Sequence, residues 1–143
     1  MREAIAGLPV PEFETTAFTR PPALRDATVA VVTSAGLMRP GENTLLEGDT
    51  GFRSFDRNER ELIVGHQSTN FDRSGIAADL NVAYPLDRLA EMEAEGAIGA
   101  VAARHLSFTG PIMELSTLRI DTGPAGAKLL IDDGVQIVLL TPV

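Results

Sequence analysis

Between residues 66 and 88 the chain reads HQSTNFDRSGIAADLNVAYPLDR, which gathers His66, Asn70, Asp72, Arg73, Asp79, Asn81, Tyr84 and Arg88 into one short stretch. A histidine near carboxylates can move a proton while the carboxylate fixes its tautomer. The planar forks of Arg73 and Arg88 suit the carboxylate of a substrate. The same side chains would serve equally as an Asx-rich loop that bonds its own backbone, caps a helix at Pro85 and pairs its arginines with Asp72 or Asp87. His66, Asp72 and Asp79 have the residue types of a metal set, but their spacing follows no ligand pattern, so no metal site is assigned. His105, the other of the two histidines, is a second candidate for proton transfer, or a buried, hydrogen-bonded histidine at a strand end.

Cysteine is absent from the sequence, which excludes a disulfide framework, a thiolate metal site and a thiol nucleophile within these residues. The stretch TSAGLMRPG has glycines but neither of the glycine orders that cradle phosphates, and no GxSxG elbow is present.

These residues need elements to position them. Thr28 to Thr33 is a β-branched run that closes on Ser34, Ala35 and Gly36, and it predicts a buried strand. Residues 37–50 are rich in turn formers and read as a long loop. Phe52 to Phe55 and Leu62 to His66 read as two strands around a charged turn, and QSTNFDRSGIAADLN as another loop. Pro85 at a first turn, apolar Leu86, Leu89 and Met92, and the stop at Gly96 predict a short amphipathic helix. Residues 97–108 read as a strand running through His105, residues 111–133 as helix broken near Gly123 and Pro124, and VQIVLL as the last strand. Strands rich in Val and Ile, separated by helix or long loop, predict an α/β fold with a mostly parallel sheet flanked by helices in three layers. The expected organisation is an arm over residues 1–25, carrying Pro9, Pro11, Pro21 and Pro22, and one α/β domain over 26–143.

In open parallel sheets the ligand crevice lies outside the carboxyl ends of the strands. Each apolar run empties there into polar residues: Thr33 and Ser34, His66, Arg104 and His105, and Thr141. Ser34 joins the candidate substrate contacts on this ground.

The chain has 143 residues, enough to bury a real core, and a formal charge of −8. That charge repels phosphate backbones and anionic membranes, so neither nucleic acid nor a membrane is an expected partner. Residues 1–9 have no apolar secretory core, and a cytoplasmic location is expected.

The wording VAVVTSAGL with RPG, then GHQSTNFDRSGIAADLNVAYPLDRL, EGAIGAVAARHLSFTG and DDGVQIVLLTPV, resembles the selenoprotein B family of glycine, sarcosine, betaine and D-proline reductases. The likeness runs from about Phe13 to Val143 and is most specific from STNFDRSG to NVAYPLDRL. Met38 stands where many relatives are expected to carry histidine.

The resemblance implies reductive cleavage of a carbon–heteroatom bond, typically C–N, in a small amino acid or amine, by a selenolate or thiolate. The selenocysteine or cysteine is expected directly after Val143, with a pyruvoyl group on a partner subunit activating the amine. No cofactor is expected within the chain itself. His66 or His105 would protonate the leaving amine, Arg73 and Arg88 would hold the carboxylate or an oxyanion, and Asn70, Asp72 and Asp79 would shape the loop. Selenocysteine is encoded by UGA, so the chain is expected to be the amino-terminal part of a longer family domain, read as ending at its own active-site codon and inactive alone. A homo-oligomer is also expected. The competing expectation is a non-catalytic module that associates with itself or with a catalytic subunit.

Overall fold

The structure is a computed structural model that describes residues 12–15, 19–45, 48–66, 72–110, 112 and 114–143. It has an α/β fold built on β1 (Thr28–Thr33), with β2 (Leu37–Met38), β3 (Phe52–Asp56), β4 (Ile63–Val64), β5 (Ala100–Val101), β6 (Arg104–Phe108) and β7 (Ile137–Thr141). The helices are α1 (Ser74–Ala78), α2 (Leu86–Ala94) and α3 (Gly123–Asp132).

β1 is central. Along one edge it pairs in parallel with β5 through Thr28↔Ala100 and Val29↔Val101, and with β6 through Val32↔Leu106 and Thr33↔Ser107. Along the other it pairs in parallel with β7, from Val29↔Ile137 to Thr33↔Thr141. β3 lies antiparallel on the outside of β6, and β2 with β4 forms a separate small antiparallel pair.

The alternation of β1 assigns the two faces. Val29 and Val31 pack with Phe55, Leu86, Leu89 and Val101 under α2, whereas Ala30 and Val32 pack with Leu106, Leu129 and Leu130 of α3. Both faces are therefore apolar, as a parallel sheet with helices on each side requires.

The predicted strand over 97–108 divides in two because the register against β1 slips by two residues between Val101 and Leu106. The slip removes backbone partners from the middle of β1. Val31 N–H instead donates to Nδ1 of His105 at 3.0 Å, so a side chain completes the ladder where the backbone has bulged away. His105 is fully buried, with the Tyr84 ring edge-on to it at 5.7 Å between centroids. Its Nδ1 accepts, so the proton of the neutral ring sits on Nε2, which has no hydrogen-bond partner among the described residues.

Three other readings are adjusted. The expected strand from Leu62 to His66 contracts to β4, because only Ile63 and Val64 find partners on β2, inside the predicted loop. The loop reading after His66 contains α1, one turn too short to show a helical period. The expected break at Gly123 and Pro124 becomes a wide turn over Leu118–Thr122, in which Gly123 N–H reaches Leu118 O, continuous with α3. Glycine is needed there, since a Cβ at Gly123 would collide with Leu118 O. Among the described residues no helix is long and apolar enough to cross a membrane.

Burial first, and the nearby Arg57 and Arg60 charges next, lower the His105 pKa to about 4. The folded value lies below the unfolded one near 6.5, so the neutral ring contributes stability above pH 6.5 that is lost as pH falls toward 4. The loss should reach about 3 kcal/mol, measured as a falling urea midpoint between pH 7 and pH 4. His105→Gln keeps an acceptor without titrating and should flatten that slope.

Candidate functional site

The connection from β1 to β5 runs over the α2 face, and that from β6 to β7 over the α3 face, in opposite directions along the sheet. The carboxyl end of β1 is therefore a topological switch point, the place where open α/β sheets leave a crevice.

That end is tied by short polar side chains. Thr33 Oγ1 donates to Thr141 O at 3.1 Å and accepts from Ala35 N–H at 3.2 Å. Thr141 Oγ1 donates to Ala83 O at 2.8 Å, anchoring β7 to the segment before α2. Ser34 Oγ accepts from Val143 N–H at 2.9 Å and donates to Val143 O at 3.2 Å. Ser34, expected to contact substrate, thus grips the backbone leaving β7.

Two residues on, Gly36 takes a left-handed φ of 61°. Its N–H donates to Phe108 O at 2.9 Å and its carbonyl accepts from Gly65 N–H at 2.8 Å, which draws the segment after β4 against the end of β6. His66 follows at once and is 5% exposed. Its Nε2 lies 3.5 Å from where a Cβ on Gly110 would sit, so the ring reaches past the end of β6. Burial, and then the charge of Arg73, lower the His66 pKa below its ordinary 6.5. Arg73 donates from Nη2 to His66 O and lines an open, mainly apolar depression of about 400 Å³ with Leu62, Val64, Ile76 and Leu80.

The structure thus brings Ser34, His66 and Arg73 to the carboxyl end of the sheet. The other expected residues lie elsewhere. Asp72 accepts from Ser74 N–H at 2.9 Å and leads into α1. Asp79 accepts from Asn81 N–H and Nδ2, each at 2.9 Å. Hydrogen bonds from the side chain and then the N–H of Ser74 hold the Asp72 carboxyl below its usual pKa, and those from the side chain and then the N–H of Asn81 do the same for Asp79. Arg88 is 62% exposed and pairs with Glu91 on the surface of α2 at 3.0 Å. Asn70 lies outside the described residues. His105 stands three residues before the end of β6, about 10 Å back along the strand. Among the described residues no group of three or more His, Asp and Glu is placed to hold a metal ion, so His66, Asp72 and Asp79 do not form one.

Residue-by-residue reading did not find Gly36, Gly65 or Thr109. The small residues after β1 and the glycine before His66 were the available signal, since Gly36 has Thr109 Oγ1 and His66 N only 3.2 and 3.3 Å from where its Cβ would stand.

The sequence profile described as glycine/sarcosine/betaine reductase selenoprotein B matches residues 2–143. The chain belongs to this family. It is 34% identical over 121 residues to D-proline reductase subunit gamma of Acetoanaerobium sticklandii, covering 82% of this chain and 49% of that protein. It is 31% identical over 133 residues to sarcosine reductase complex component B subunit beta of Peptoclostridium acidaminophilum, covering 84% of this chain and 29% of that one. The chain therefore spans about half or less of the curated relatives it matches, both of them named as subunits. No solved structure matches at a significant level.

Gly36→Ala should cost about 1–3 kcal/mol in urea unfolding, because an L side chain must hold a left-handed φ against Thr109 and His66. A cost under half of that would show that the turn relaxes without glycine.

Proposed function

We propose that the chain forms the part of a selenoprotein B-type reductase subunit that shapes the site for reductive C–N cleavage in a small amino acid or amine. The selenocysteine or cysteine that follows Val143 in this reading would supply the electron pair that displaces the amine from the carbon α to the carboxylate. An external dithiol, oxidised to its disulfide, would supply the two electrons that break the carbon–chalcogen bond and restore the nucleophile, and the freed carbon would take a proton from solvent. A pyruvoyl group on a partner subunit would activate the amine.

One observation carries the reading: the double hydrogen bond of Ser34 to Val143 fixes the backbone at the switch-point crevice, one residue short of the expected nucleophile. If a helix begins there, its amino end would favour the anionic chalcogen.

In this scheme His66 gives the departing amine its proton, and Arg73 receives the substrate carboxylate with donors other than the one its bond to His66 O uses. Asn70 is retained as a substrate contact. Asp72 and Asp79 set the path of the segment through the backbone N–H groups they accept. The bond from Val31 N–H supports a positioning role for His105 rather than proton transfer. The pair with Glu91 supports a surface role for Arg88.

The test is the chain continued past Val143 with Cys at the next position, combined with its partner subunit and assayed with dithiol for reductive C–N cleavage: ring opening of D-proline to the open-chain ω-amino acid, methylamine release from sarcosine and ammonia release from glycine. His66→Gln should lower kcat by about 10²–10⁴-fold while the protein stays folded. The pH profile of kcat/KM should descend at a value below 6.5, because the lowered His66 pKa depletes the acid as pH rises. Arg73→Met should act mainly on KM. A folded protein that binds a partner subunit yet cleaves the C–N bond of none of these substrates would favour the non-catalytic module.

A further inference from the structure

We propose that the outer edge of β7 receives a further parallel strand of the same polypeptide, reached from Val143 through a helix lying beside α3.

The edge is unusually open. β7 pairs with β1 alone among the described strands. From Val135 to Thr141 it carries none of the charges or prolines that proteins use to blunt an exposed strand. Val138 is 40% exposed, Leu139 39% and Leu140 68%. Parallel strands are ordinarily covered on both faces, and an apolar edge left free invites pairing.

Handedness fixes where the covering helix goes. Crossovers between parallel strands are right-handed in about 98% of cases. The step from β6 across to β7 places α3 on the face of Ala30 and Val32. A further step outward from β7 moves in the same direction, so the same hand puts its helix on the same face. Val138 and Leu140, paired with Ala30 and Val32, present their side chains there. Beside them lies an apolar depression of about 240 Å³ lined by Val32, Phe108, Leu140 and Pro142, with Ser34 at its rim. The face predicted by chirality thus carries two exposed apolar side chains, with Leu140 the most open, whereas the opposite face of β7 exposes Leu139.

The length of chain is available in the family. The match takes up 49% of D-proline reductase subunit gamma, which leaves as much again outside it. A crossover and strand need about 20 residues.

Hydrogen exchange of β7 tests the proposal, comparing the chain ending at Val143 with the chain continued past it, Cys standing in the next position. Protection of β7 amides should rise at least about 100-fold in the longer chain, with both forms at concentrations where they are monomeric. Leu140→Lys should remove most of that gain and leave exchange in the shorter chain nearly unchanged. Unchanged β7 exchange, a tolerated Leu140→Lys, or protection that appears only on self-association of either chain would each overturn it. So would a downstream reading frame with no helix and strand. None of these readouts depends on turnover, so failure of the reductase reading shows separately, in the C–N cleavage assay.

Discussion

The hydrogen bond from Val31 N–H to His105 Nδ1 holds the centre of the sheet together. A parallel strand flanked on both sides needs every backbone donor paired, because its middle is inaccessible to water. The two-residue slip between β5 and β6 would orphan that donor, at about 1–3 kcal/mol for a buried polar group. The imidazole resolves it from within the bulged strand, and its edge-on packing against Tyr84, itself set against Phe55, fixes the ring. Because β6 keeps its pairing beyond the bulge, Ser107 can accept from, and so fix, Leu37 N–H at 2.8 Å, and Phe108 can receive Gly36. The turn that presents Ser34 and His66 rests on those two contacts.

Electrostatics act at the periphery rather than at the centre. Arg39, Arg57, Arg60 and Arg104 pair with Glu59, Glu93, Asp87 and Asp133 at 2.5–2.8 Å, linking strand ends and turns to one another and to the ends of helices. Such part-exposed pairs contribute little stability each, but they fix the orientation of the segments they join. His66 and Arg73 differ from this pattern. Their contact is through a backbone carbonyl, and among the described residues the guanidinium lies beside an apolar depression rather than across from a carboxylate.

What could be read in the sequence was what depends on local periodicity. The β-branched run of β1 and the spaced leucines of α2 announced themselves, and so did the last strand, because alternation and helical spacing are written in neighbouring residues. The bulge before β6 was not legible, since it exists only through a bond from His105 to a residue 74 positions away. For the same reason Ser34 could be assigned to the crevice from its place after β1, while its partner Val143, 109 positions distant, could not. Asp72 and Asp79 illustrate the converse. Their acceptor capacity is used within two residues, an outcome that the Asx-rich loop reading anticipated.

The wide turn ahead of Pro124 holds one residue more than a regular helix would place there. It works as slack in the connection between β6 and α3: a single insertion or deletion upstream can be taken up by widening or tightening that turn. The seat of Gly126 and Leu130 on the sheet would not shift. The turn over Leu118–Thr122 can thus change length without moving its neighbours, while the spacing from Gly123 to Val143 is held by helix, strand and the Ser34 clamp together.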